Sequence, residues 1–489
     1  MRPPITIAQA RVILDDPHAC TDSGDVLAVF GAIFDPLVRR GSDGSYEPAL
    51  AEAWTMDADA RTTTFRLRPG VTFHDGEPCD SKAVRFCLER MARPDMGATL
   101  GAPGVYSQYL AGMTVETPDA LTVRMTTVEP IADILDIIAY GHIVSPRSLA
   151  NAGDDLAKRA VGTGPYILER YTAGESLEVR ANADHFDGPP AYAGIRWRQV
   201  ANPDERLEAL NTGQVQVANG LGLGAVDATA GRANLTVVRY LAPTALIYMF
   251  NAASGPAKDP RVRLALNLAV DRDALVADVL NGAGQALWGF VSPAHYGADP
   301  DAPPTPRDLD RARQLLTEAG YADGLSLNVY CPTRLPDEAE ALTAALADQL
   351  EPLGVRFTVH LESDRTHYAN QVRLKNIHDL CVFDSSPMSV FRVLQEKIDS
   401  RMKGSWWEGY RNPDVEALID AARRMTDRSL REAMYRQCYR MLQADPPWIY
   451  LYNHHRVIGI VGDHPEWLMR GDGILDVRRL PAIEAQPIS

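Results

Sequence analysis

Several common chemistries have no residues to work with in this chain. Its six cysteines, Cys20, Cys79, Cys87, Cys331, Cys381 and Cys438, include no C-x-x-C pair, which argues against a zinc ribbon or a thioredoxin-like site. They read as small buried apolar residues, with one disulfide left open in an oxidising compartment. No run approaches the roughly 20 consecutive apolar residues of a membrane helix. The formal net charge is −15 and no basic block interrupts it, which argues against a nucleic-acid binder. The patterns G-x-S-x-G, G-x-x-x-x-G-K-[ST] and H-E-x-x-H are missing, so hydrolase, NTPase and zinc-protease readings lose their usual anchors. Met1 to Ile7 lacks the apolar core of a secretory signal. An exported protein after leader removal and a cytosolic protein both read this way.

What is present is the composition of a soluble globular protein, 46% hydrophobic and 23% charged. A length of 489 residues exceeds one core and implies two or three domains. Gly220 to Ala225 fits G-x-G-x-x-A after a strand, but Arg239 stands near the position where a dinucleotide site needs an acidic residue. A plain glycine-rich loop is the favoured reading. His454 and His455, adjacent on a strand, point to opposite faces, and His360 and His367 have no cysteine or carboxylate cluster at ligand spacing. No metal and no cofactor is expected.

Along the chain, Val26 to Val38 is apolar at helical spacing. Thr62 to Leu67 reads as a strand, Pro69-Gly70 as a turn and Val71 to Phe73 as the returning strand. Asp80 is placed to cap a helix whose Val84, Cys87, Leu88 and Met91 share one apolar face. Met113 to Met125 reads as a hairpin turning at Pro118-Asp119. Asp204 is read as the cap of the helix Glu205 to Leu210. Pro260 suits a first helical turn, and that helix is expected to run on to Arg272. The strand Leu325 to Tyr330, helix Ala339 to Leu350 and strand Val355 to Leu361 form a β-α-β unit with a parallel pair. Helices Asp414 to Met425 and Ser429 to Ala444 precede a strand, Trp448 to Tyr452. The chain is expected to cross between lobes near Val238 to Thr244 and again near Tyr452 to Ile460.

Three stretches carry a specific resemblance. Pro48, Leu50, Ala51 and Trp54, then Phe65, Leu67, Arg68, Gly70, Val71, Phe73, His74, Asp75, Gly76 and Pro78, follow the pattern "P-x-L-A-x-x-W … F-x-L-R-x-G-V-x-F-H-D-G-x-P". Gly162-Thr163-Gly164-Pro165-Tyr166 matches a G-T-G-P-Y/W turn. Phe250-Asn251 with Asp259, Val262, Arg263, Ala265 and Leu266 matches "F-N … D-x-x-V-R-x-A-L". In these residues the chain resembles the peptide/nickel-type solute-binding proteins of ABC transporters (family 5, dipeptide/oligopeptide-binding-like), and the resemblance covers nearly the whole chain.

The resemblance implies an α/β, two-lobed periplasmic-binding-protein type II fold (cluster C) with an extra subdomain on the first lobe. The expected division is 1–45, 164–241 and 459–489 for the first lobe, 46–163 for the subdomain and 242–458 for the second lobe. It further implies a non-enzymatic, periplasmic protein, a monomer, that captures a small polar or charged ligand between its lobes. Delivery would be to an ABC permease in the inner membrane, without nucleic acid. A peptide or amino-acid conjugate is the leading ligand class; a nickel-type metal chelate or an opine- or sugar-like ligand in the same fold is the alternative, and an enzyme using the cleft a third.

For the site, relatives contact ligand through the strand end and loop that here read Asp384-Ser385-Ser386-Pro387. Polar residues at the C-terminal end of a parallel strand sit where open α/β sheets bind ligands. Peptide binders carry an aspartate there for the peptide's amino group, which makes Asp384 the candidate, although FDSSPMSV departs from the usual "G-D-x-x-D-P". Trp406 and Trp407 read either as core or as cleft wall. Arg392, Lys397 and Arg401 read either as a solvated helix face or as a cationic rim for an anionic group. Tyr140 and His142 stand where nickel-type relatives carry a ligand-binding basic residue.

Overall fold

The helix after the signature stretch forms where its cap predicts. Asp80 accepts from the backbone N–H groups of Lys82 and Ala83, and Ser81–Met91 buries Val84, Cys87, Leu88 and Met91. The computed structural model describes residues 1–19, 23–41, 44–96, 105–153, 155–229, 232, 234–295, 297–299, 301–333, 336–385, 388–402 and 408–483. The chain divides into two units, Met1–Tyr240 with Arg456–Ser489, and Leu241–His455. It passes between them twice, inside the long strands Leu235–Phe250 and Trp448–Val461.

In the first unit the main sheet runs in the order Tyr166–Thr172, Ser176–Ala181, Gly194–Gln199, Ile5–Gln9, Val217–Leu221 and the end of Trp448–Val461. Ile5–Gln9 is parallel to both neighbours, with Ile7 opposite Trp197 and Val217. A separate four-stranded antiparallel sheet orders Ala51–Met56, Thr62–Leu67, Thr122–Thr126 and Thr114–Asp119.

That sheet corrects two expectations. Thr62–Leu67 pairs with Ala51–Met56 and Thr122–Thr126, whereas Thr72 makes only an isolated bridge to Pro78. Gly70, at φ +74°, turns the chain off the sheet, and His74 holds the segment elsewhere. His74 donates its backbone N–H to Gly162 O at 2.8 Å, and its ring nitrogen Nε2 lies 2.9 Å from Gly164 O. Pro118 and Asp119 end a strand, and the turn falls one step later, where Asp119 Oδ1 accepts from Leu121 N.

The second unit's sheet runs from the start of Trp448–Val461 through Leu235–Phe250, Leu380–Ser385 and Leu325–Pro332 to Val355–Glu362. Leu325–Pro332 is parallel to both Val355–Glu362 and Leu380–Ser385, with helix Ala339–Leu350 as the expected crossover. One face packs Leu246, Tyr248, Val329, Leu342, Leu346 and Val382 into a common core. Asp259 caps Pro260–Ala269 with proline in its first turn. This helix stops short of the expected Arg272. Val270 is extended, and Asp271 caps a second helix, Arg272–Leu280. Asn202, not Asp204, caps the helix Pro203–Asn211.

The loop Gly162-Thr163-Gly164 lies against the end of the helix Gly24–Ile33, with Gly164 N donating to Ile33 O at 2.9 Å. A Cβ at Gly164 would stand 2.5 Å from the carbonyl carbon of Ile33 and 2.6 Å from Ala32 O. Gly164→Ala is therefore expected to cost about 1–3 kcal/mol or more, the range of overpacking. The urea midpoint measures it; a midpoint equal to wild type would show that this turn does not pack as described.

Candidate functional site

Leu380–Ser385 carries Asp384 and Ser385 at its C-terminal end, beside the parallel strand Leu325–Pro332. Antiparallel pairing sets Asp384 opposite Leu246 and Ser385 opposite Ala245. Asp384 is partly exposed, and its carboxylate has no hydrogen-bond or ion-pair partner among the described residues. Ser385 is buried at 2% exposure, and its Oγ also lacks a partner there. Ser386, Trp406 and Trp407 lie outside the described residues.

Arg392 and Lys397 are not on a solvated face. The short helix Val390–Val393 continues into a π-turn, Leu394–Ile398, whose five residues are all buried. Such turns are uncommon and recur at functional sites. Arg392 is 2% exposed and grips Glu396 one turn on, Nε to Oε1 at 2.7 Å. Arg401 is half-exposed and pairs with Asp399 at 2.7 Å and Asp420 at 2.5 Å. Both arginines are thus matched by carboxylates of their own unit, which sets them apart from Asp384.

At the same unit's crossing strand, His454 Nε2 lies 2.6 Å from Glu338 Oε1, and Tyr452 donates to that oxygen at 3.3 Å. His454 thus enters a polar cluster whose signal in the sequence was only the histidine pair. Gly220 lies within a strand at φ +71°, and its carbonyl accepts from Arg206.

In the first unit Tyr140 and His142 come together around a cavity of about 50 Å³. Arg39, Arg40, Arg470 and Arg478 also line it, with Asp476 as the lining carboxylate. The arginines were missed by sequence reasoning, because the C-terminal segment that supplies two of them has no periodicity to place it. Just behind the cavity, Asp35 is fully buried. Its carboxylate accepts from Arg478 at 2.7 Å and Thr163 at 3.0 Å and lies 3.2 Å from His185 Nε2. Burial would raise its pKa, but Arg478 and His185 hold it well below the ordinary carboxylate range.

His142 is 5% exposed and packs edge-on to Phe30 at 5.4 Å. Burial, then the charge of Arg478, push its pKa down to about 3. At neutral pH the ring is uncharged, so any ligand contact it makes is that of a neutral imidazole and not of a cation. His18, whose Nε2 lies 3.0 Å from His142 O, is pushed down to about 4 by burial and by Arg90.

With this geometry in hand, comparison with known proteins is specific. The profile of the bacterial extracellular solute-binding proteins, family 5 (middle region), matches residues 45–390. The chain belongs to that family, the solute-binding components of ABC importers. Among its relatives, the glutathione-binding protein GsiB of Salmonella paratyphi A is 28% identical over 89% of this chain and 85% of its own. The periplasmic binding protein DppA of Helicobacter pylori, solved with the peptide STSA, superposes with TM-score 0.77 at 23% identity, covering 96% of this chain and 97% of its own. NikZ of Campylobacter jejuni, solved with Ni(L-His), gives 0.74 at 21% identity and covers 94% of each chain. The fold is therefore the α/β, two-lobed fold of periplasmic binding proteins. No helix among the described residues is long and apolar enough to cross a membrane.

The buried histidines generate a pH dependence. An unfolded histidine titrates near 6.5, while folded His142 and His18 take up protons only near pH 3 and 4. Between those limits the unfolded chain binds more protons, so stability present above pH 6.5 is lost as pH falls, by at most about 1.4 kcal/mol per unit per histidine. Urea midpoints at pH 7.5 and 5 should differ in that direction, and His142→Phe should flatten the difference. An unchanged difference in the variant would mean that the ring is not buried and neutral.

Proposed function

We propose that this protein captures a zwitterionic, peptide-like solute, a short peptide or an amino-acid conjugate, outside the cytoplasmic membrane and hands it chemically unchanged to an ABC permease. The observation that carries the ligand class is Asp384. A partly buried carboxylate with no partner among the described residues, at the end of a parallel strand, suits a ligand ammonium group. Ser385, with its unpartnered Oγ, adds a neutral hydrogen-bonding group at the same strand end. The relatives named for glutathione and solved with a tetrapeptide support the same class.

A hydrogen bond to a charged group contributes roughly 1.5–3 kcal/mol, and about 1.4 kcal/mol is one decade of affinity. Asp384→Asn should therefore weaken binding of the co-purifying ligand about tenfold or more by calorimetry. Mass spectrometry of that ligand before and after prolonged incubation should show one unchanged compound bearing an amine. A metal chelate in its place, a product peak, or an affinity within twofold of wild type would each count against this reading.

A further inference from the structure

The strand Val355–Glu362 ends the second unit's sheet. Along its inner edge it pairs in parallel with Leu325–Pro332. Gly354 O accepts from Leu325 N and Glu362 O from Thr333 N, each at 3.0 Å. Backbone groups alternate in direction along a strand, so even-numbered residues face the inner neighbour. Val355, Phe357, Val359 and Leu361 then present their N–H and C=O groups to the outer edge. No other strand among the described residues pairs with that edge. Val359 is 43% and Leu361 55% exposed, and neither a proline nor a lysine blunts the strand, which are common devices for blocking edge pairing.

We propose that this edge is a homodimerisation surface, in which the same strand of a second copy pairs antiparallel to it about a two-fold axis at Val359. In that register outward-facing residues meet outward-facing residues, as an antiparallel ladder requires. Val359 faces its own copy, and Phe357 faces Leu361 on both sides of the axis. On the opposite face Arg356 stands across from Glu362 twice, once at each end. Sliding the pairing by two residues one way would set Arg356 against His360 and lose both charge matches; sliding it the other way would set Arg356 against Asp364, which lies beyond the strand and caps the next helix. A one-residue slide would oppose outward groups with inward ones. Self-complementarity of this kind is what an isologous interface demands, and it selects a second copy of this chain over an unrelated strand. The proposal departs from the monomer expected above.

Sedimentation equilibrium across a concentration series tests it. The mass of the wild-type protein should rise from one chain toward two. Val359→Pro should remain a single chain, because proline removes an outward donor and no internal one. Arg356→Glu and Glu362→Arg should each weaken association about tenfold, since both place like charges opposite each other twice. Mixed in equal amounts, those two variants should associate again, because each copy then supplies the charge that the other needs. A single-chain mass at every concentration up to the solubility limit overturns the proposal, as does association indifferent to Val359→Pro. Failure of the mixture to recover overturns the register.

Discussion

The first unit depends on one buried carboxylate. Asp35 follows directly on the helix Gly24–Ile33, Thr163 belongs to the glycine turn, His185 to the loop after Ser176–Ala181, and Arg478 to the C-terminal segment. Segments far apart in sequence therefore meet at a group with zero exposure. Burying a charge is unfavourable unless it is paired and hydrogen-bonded, and removal of one partner from such a pair costs about 3–5 kcal/mol. The carboxylate thus gains its place only when all these segments have arrived. His74 reinforces the arrangement by binding both glycines that flank Thr163, which is why two signatures far apart in the sequence are one structural device.

The second unit uses buried side-chain donors toward the same end. Arg263, Asn267 and Arg272 sit on or beside the helix Pro260–Ala269, where a surface helix would place them in water. All three are buried. Arg263 donates to Pro446 O and pairs with Asp445, Asn267 donates to Trp448 O, and Arg272 donates to Tyr450 O. The helix is stitched to the strand Trp448–Val461 by side-chain donors to backbone acceptors. Arg272 also binds the carbonyls of Asn267 and Val270, so the break between the two helices is held open by the residue that begins the second. A period-based reading saw one continuous helix because it counts apolar spacing and cannot see a carbonyl being claimed from outside.

The same limit explains what could and could not be read from the chain. Local codes were sufficient where the physics is local. Asp80 caps its helix through its own side chain, and the β-α-β unit from Leu325 to Glu362 follows from periodicity alone. Pro69-Gly70 is equally local, but its consequence is not. Whether the chain turns back onto the sheet or leaves it is decided by His74 and a loop ninety residues on. Arg392 and Lys397 show a comparable gap. Their spacing fits an amphipathic surface helix, yet the short helix and the π-turn that continues it are buried, and Glu396 balances Arg392 within the interior. Of the candidate site residues, the pair Asp384 and Ser385 could be placed at a strand end from pattern, because the apolar run Leu380 to Phe383 and its polar stop are both local. The arginines near Tyr140 and His142 could not, since the C-terminal segment that brings Arg470 and Arg478 has, among its described residues, no regular structure beyond one turn of 3₁₀ helix.

Pairing, and not count, decides which charges remain available for recognition. Arg392 and Arg401 carry the same formal charge as any ligand-binding arginine, but each is already opposed by carboxylates at hydrogen-bond distance. A ligand carboxylate approaching them would displace a partner whose own burial then becomes unfavourable, so the exchange gains little. Asp384 has no such incumbent among the described residues. A ligand cation there adds an interaction without breaking one, in a setting already partly withdrawn from water, where the pair is stronger than at the surface. The fold therefore commits most of its buried charge to holding itself together and leaves a carboxylate uncommitted at the strand end. On that asymmetry rests the proposal that Asp384 takes a ligand amine.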